Sequence, residues 1–246
     1  PEHGAELDAG FVYRGWLDAK GEIHDIQDHF ERWLPRNGTQ EDADFVLRAW
    51  LEAGGSLALV QTAVCDWLHH HNQKPEAVYL TKKLAKQSDL PAETVEDILI
   101  WCRTFSPDED ALWRLTQLGK HLLRAELAEQ VCATSETLLL ARLSSLDSPS
   151  PLICSQIITL FWRLITAVGL RSGSLRDRID KLFLVWLRKP ESFALDPIPY
   201  ANIQRLGFLQ RVVDLITSGE IDVTTDREHL ERFLRWVNLW DLEQKK

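Results

Sequence analysis

The sequence predicts an all-α protein, an α-solenoid of antiparallel helical hairpins followed by a C-terminal helical bundle or cap. Three observations carry that expectation. Trp16, Trp33, Trp50 and Trp67 fall at equal steps, at i, i+17, i+34 and i+51, and Trp101 continues the series at i+85. Whole stretches align at a period of 34: residues 11–21 on 45–55, Ile26-Gln27 on Val60-Gln61, and Trp33-Leu34 on Trp67-Leu68. Apolar residues recur at helical spacing, and no stretch alternates as a half-buried strand would. A two-helix unit of this kind buries its apolar face only against the next unit, so the units stack.

Within one unit the first helix is expected over 40–53, with Thr39 as N-cap and Gly54-Gly55 as a left-handed stop. Its apolar residues Phe45, Val46, Ala49, Trp50 and Ala53 define one buried face. Ser56 is placed to cap the second helix, which turns Val60, Val64, Trp67 and Leu68 inward. Loops this short require antiparallel neighbours. Pro75, Pro91 and Pro107 each stand where a proline opens a helix. Two more helices are expected over 124–132 and 136–146.

A Ser- and Pro-rich segment at 144–151 ends the rhythm. The array is therefore expected over 1–146, clear over 1–104, with a separate all-α region over 151–246. In that region the apolar 152–170 reads as a buried helix, and amphipathic helices follow at 175–187, 200–217 and 227–242, the last closing the array. Residues 1–4 align with 35–38, inside a loop between helices, so the chain is expected to be part of a longer array.

Hydrophobic residues make up 45% of the chain and charged ones 26%, enough for a packed core without membrane-spanning runs, since Arg163 breaks the longest apolar stretch. There is no secretory signal, and the four cysteines (65, 102, 132 and 154) form no Cys-x-x-Cys pair, which reads as a reduced, cytoplasmic protein. Residues 1–137 carry 13 Lys and Arg against 24 Asp and Glu, and the remainder 15 against 13. So acidic an array is poorly suited to a nucleic-acid backbone.

The repeat has the length of a tetratricopeptide unit but not its Leu-Gly pair and small packing residues. The phrase carried by Ala43, Phe45, Val46, Arg48, Trp50, Leu51, Ala53, Gly54, Gly55, Val60, Trp67 and Leu68 resembles the helical repeats that follow ATPase domains in large bacterial signalling and defence proteins, the STAND or NLR-like proteins. The resemblance covers about residues 1–104. It implies a sensor or scaffold segment that binds a partner protein, or another domain of its own polypeptide, and governs an effector elsewhere.

No catalytic constellation is present: no phosphate-binding Gly-x-x-x-x-Gly-Lys, no His-Glu-x-x-His, no Gly-x-Ser-x-Gly and no Gly-x-Gly-x-x-Gly. The chain is read as a non-enzyme without cofactor. His69-His70-His71 with Cys65 suggests a metal, but two ligands on one helix face fall short of the four a structural zinc needs, and none is expected. The recurring tryptophans read as core rather than as base-stacking platforms.

Two sets of cations are candidate partner-binding residues. Arg14, Arg48 and Lys82 occupy the same place in three successive periods and should form a ladder on one surface, with Arg14–Asp18 and Arg48–Glu52 pairs as the plain structural reading. Arg171, Arg176 and Arg178 begin a basic cluster that runs to Lys189, diluted by Asp177 and Asp180. The favoured function is a protein–protein interaction module. The alternative is a regulatory or substrate domain of a protease or effector system, and nucleic-acid binding through 171–189 ranks last.

Overall fold

The computed structural model describes residues 8–87, 89–105, 109–119, 121, 125–144, 151–169, 173–189 and 202–243. These residues form twelve α-helices and no strand, divided between two compact units, 1–104 and 105–246.

In the first unit α1 (Ala9–Asp18) packs on both α2 (Ile23–Asn37) and α3 (Ala43–Glu52). The step then recurs: α2 packs on α4 (Leu57–His71), α3 on α4 and α5 (Val78–Leu84), and α4 on α6 (Ala92–Thr104). Pro75 opens the 3-10 turn Pro75–Ala77 that leads into α5, at a position where its missing N–H breaks no helical bond. Gly54 has φ +89°, the left-handed stop the sequence predicts, while the equivalent position one period earlier is Lys20 at φ 61°.

The tryptophan series divides by helix. On the first helices, the indole N–H of Trp16 donates to the Glu22 carbonyl (3.1 Å) and that of Trp50 to the Ser56 carbonyl (3.2 Å). Each ring lies against a glycine, Gly21 or Gly55, where a Cβ would collide with it. On the second helices, Trp67 reaches back to the Gln40 carbonyl (2.9 Å) and Trp101 to the Lys74 carbonyl (3.1 Å). Two hydrogen-bonding roles thus occur along one series, own-turn for Trp16 and Trp50 and backward for Trp67 and Trp101. Among the described residues nothing accepts the buried Trp33 indole N–H, and Glu6, which the repeat period sets against Gln40, lies outside them.

Several expectations are corrected here. Trp50 is 1% exposed beneath Phe30, which stacks on it at 4.4 Å, but Trp16 is 43% exposed, because no described residue covers it as Phe30 covers Trp50. Phe45 is 42% exposed and Ala53 is exposed, since α3 turns Val46, Leu47, Ala49 and Trp50 inward and rotates Phe45 to the rim. Thr39 does not cap α3. The helix starts at Ala43 behind Asp42, and the Thr39–Glu41 carbonyls instead accept bonds from His71 and Trp67. Ser56 occupies the N-cap of α4 without a side-chain cap bond, its carbonyl taken by Trp50.

The second unit holds α7 (Glu109–Leu118), α8 (Ala125–Ser144), α9 (Pro151–Gly169), α10 (Ser174–Arg188), α11 (Asn202–Thr217) and α12 (Arg227–Glu243). The two-helix step persists although the sequence rhythm has gone: α7 packs on α9 and α9 on α11, α8 on α10 and α10 on α12. The core is aromatic, with Phe183 and Trp186 each touching both Phe161 and Phe208, and Trp236 edge-on to Trp186 at 6.1 Å. Where two helices are expected over 124–146, α8 is a single helix of 20 residues. At its polar midpoint the buried Ser135 donates to the Val131 carbonyl (2.7 Å), and the exposed Thr137 to that of Ala133 (3.1 Å). Through its contacts with α7, α9 and α10, α8 belongs to the second unit, so the division falls at Thr104/Phe105 rather than at the Ser- and Pro-rich segment. Pro107 and Arg124 lie outside the described residues.

Candidate interaction surface and an adjoining-helix pocket

The ladder of cations lies on the odd-numbered helices of the first unit. Arg14 on α1 pairs with Asp18 at 3.3 Å, and Arg48 on α3 pairs with Glu52 at 3.1 Å. Each guanidinium also lies over an aromatic ring on the next odd helix: Arg14 over Phe45 (5.1 Å) and Arg48 over Tyr79 (4.8 Å). Phe45 and Tyr79 are themselves one period apart. The two arginines are therefore staples between successive helix pairs, each cation–π contact contributing about 0.5–1 kcal/mol at so exposed a site. Burial pushes the Tyr79 phenol up to about 12, and the Glu52 charge adds to the shift. Lys82 on α5 is exposed, and its neighbour Lys83 approaches Tyr79 at 5.4 Å.

The basic cluster divides. Arg178 on α10 reaches α8, bonding Glu136 at 2.6 and 3.1 Å and also meeting Glu129, and the Glu136 bond holds its guanidinium above its ordinary pKa. Arg188 grips Asp226 with two bonds of 2.8 and 2.9 Å. A nucleic-acid stripe would find these two cations already committed to carboxylates. Arg171 lies outside the described residues.

Arg176 borders an open cavity of about 370 Å³ between α9, α10 and α11. Trp162, Ile165 and Ile179 give it an apolar wall, and its polar side is a quartet of Arg176, Asp180, Arg211 and Asp214. Arg211 is buried, donating Nε to Asp180 Oδ1 (2.6 Å), pairing Nη2 with Asp180 Oδ2, and donating Nη1 to Asp214 (3.4 Å). Burial, with the Arg176 charge nearby, lowers its pKa. Gly207 admits the Trp162 ring, since a Cβ there would collide with it. Of this quartet the sequence singles out only Arg176 as a candidate site residue, with Asp180 read as diluting the basic cluster. Arg176 and Asp180 stand at ordinary i,i+4 spacing, and nothing in the sequence brings α10 and α11 together.

The three consecutive histidines disperse. His69 Nδ1 faces Asp97 (3.4 Å), His70 Nδ1 the Asp66 carbonyl (2.7 Å), and His71 Nε2 the Thr39 carbonyl (3.3 Å). Among the described residues no group of three His, Cys, Asp or Glu side chains gathers where it could hold a metal. Burial pushes the Cys65 and Cys154 thiols up, the opposite of an activated thiolate. No described helix is long and apolar enough to cross a membrane. Comparison with known proteins yields no matching family model, no matching curated protein and no matching solved structure.

Proposed function

We propose that the chain is a non-catalytic protein–protein interaction module built as an α-solenoid of helical hairpins, a sensor or scaffold segment of a larger signalling or defence protein. One observation carries this reading: helices contact the next helix but one in both units, α1–α3–α5 and α2–α4–α6, then α7–α9–α11 and α8–α10–α12. Two rows of helices of this kind present extended surfaces, the usual platform for a protein partner. The acid-rich stretch 1–137 and the ladder of Arg14, Arg48 and Lys82 give that platform a patterned charge suited to steering a partner with complementary charges. The resemblance of residues 1–104 to the repeats of STAND and NLR-like proteins supports a cytoplasmic sensor role, with the partner either another protein or another domain of the same polypeptide.

Affinity capture from the native host tests the proposal, with the chain as bait at low and at moderate salt, beside its Arg14→Glu/Arg48→Glu variant. A protein retained at both salts by the parent and depleted by the variant is the expected result. Recovery of nucleic acid alone, lost at moderate salt, would overturn it.

A further inference from the structure

We propose that the cavity between α9, α10 and α11 binds a free α-amino acid with an apolar side chain, its zwitterionic head lying across Arg176 and Asp214 and its side chain against Trp162. This inference does not depend on the interaction reading.

The floor of the site is already satisfied. Arg211 and Asp180 are both more than nine-tenths buried and bond each other through two pairs of atoms, so neither is free to take a ligand's charge. They form a rigid base from which the mouth is built. There the side chains of Arg176 and Asp214 are 41% and 39% exposed, one cation and one anion at equal depth.

These two mouth groups form a loose ion pair. Arg176 Nη2 stands 3.8 Å from Asp214 Oδ2 and its Nε 4.0 Å from Asp180 Oδ2, both beyond hydrogen-bond length. Among the described residues the Arg176 guanidinium makes no hydrogen bond, so its planar fork is open for a carboxylate, which it fits two bonds at a time. Asp214 accepts from Gln210 (2.9 Å) and Arg211 (3.4 Å), one on each oxygen. A carboxylate offers about four acceptor sites, so room remains for an ammonium.

Net charge selects the ligand class. Two arginines and two aspartates sum to zero, so a lone anion at Arg176 would sit beside Asp214, and a lone cation at Asp214 beside Arg176. A molecule carrying both charges a few ångströms apart meets each with its opposite. The cavity volume of about 370 Å³ is at the small end of the roughly 300–1,000 Å³ common for small-molecule sites. The walls of Trp162, Ile165 and Ile179 call for an apolar side chain rather than a polar one.

Isothermal titration calorimetry on the whole chain tests the assignment, with L-phenylalanine and L-leucine as probes. At least one should bind with a Kd below about 1 mM. 3-Phenylpropionate, lacking the ammonium, and phenethylamine, lacking the carboxylate, should each bind at least about tenfold more weakly than L-phenylalanine. Arg176→Gln and Asp214→Asn should each weaken the amino acid about tenfold or more at an unchanged melting temperature. Arg176→Lys, which keeps the charge but not the fork, should weaken it by a smaller factor and guards against a glutamine variant that fails to fold. Absence of heat with both amino acids, equal binding of 3-phenylpropionate, or parental affinity in Arg176→Lys and Asp214→Asn would each overturn the proposal.

Discussion

The indole N–H of Trp101 donates to the carbonyl of Lys74 at 3.1 Å, far back along the chain, and Trp67 makes the same bond to Gln40 at 2.9 Å. The second helix of each pair thereby satisfies a carbonyl in the loop that leads into the first helix of the same pair. Buried Trp33 has the ring without such an acceptor among the described residues.

Phenylalanine at these positions separates ring from hydrogen bond. Trp67→Phe removes the bond to the Gln40 carbonyl, which keeps the Ala43 N–H, and should cost about 0.5–1.5 kcal/mol beyond the small loss of ring volume. Trp33→Phe removes a donor with no described acceptor and should cost measurably less. Urea unfolding of the two variants gives the comparison, and equal losses would refute it.

The turn after each first helix offers a second test. Lys20 holds φ 61° where Gly54 holds +89°, and Lys20→Gly should raise stability by about 0.5–1 kcal/mol by relieving a left-handed side-chain-bearing residue. Gly55→Ala should do the reverse, because its new Cβ meets the Trp50 ring, and the loss should be about 1–3 kcal/mol. Thermal melts of both variants report the two signs.

Asp44 predicts a pH dependence. Burial pushes its carboxyl up to about 6, and the charges of Glu76 and Asp42 add to the shift. Because the folded state holds this proton more tightly than the unfolded one, Asp44 favours folding below the ordinary carboxylate range and opposes it increasingly as pH rises through 6. Asp44→Asn should therefore be more stable than the parent by about 2 kcal/mol at pH 7.5 and nearly equal to it at pH 4. Urea midpoints at the two pH values measure this.

Asp226 has the opposite sign. Its hydrogen bonds to Arg188 hold the carboxyl below its ordinary range, so the pair stabilises the fold at neutral pH, and the contribution fades as pH falls through that lowered value. Arg188→Gln leaves a nearly buried carboxylate unpaired and should cost about 1–3 kcal/mol at pH 7. The deficit should shrink in acid, which a series of melts from pH 7 to pH 3 would follow.

Helices were legible because periodicity reports which residues turn inward: α9, α10, α11 and α12 fall within a turn of their expected ends. Orientation within a helix was less legible. Phe45 belongs to the same apolar run as Val46 and Trp50, but a stripe that wide leaves its edge residue on the rim, where Arg14 covers it. An even step between tryptophans also cannot distinguish a ring that closes the turn after its own helix from one that reaches back to the loop before its partner helix, since both lie on apolar faces. The break expected within α8 failed because side-chain hydroxyls returned their bonds to the same helix. The pocket was hidden for a different reason: Trp162, Arg176 and Arg211 come from three helices and share no local pattern, so only packing assembles them.

The Trp67–Gln40 bond also fixes the length by which such a chain can grow or shrink. Excising one whole period would rejoin a second-helix indole to an equivalent loop carbonyl, and the seam would close. Excising half a period would bring a first-helix indole, aimed at its own turn, to a place that needs one aimed backward. A seam cut at whole helix pairs thus keeps a donor that a seam cut between the two helices of a pair would lose.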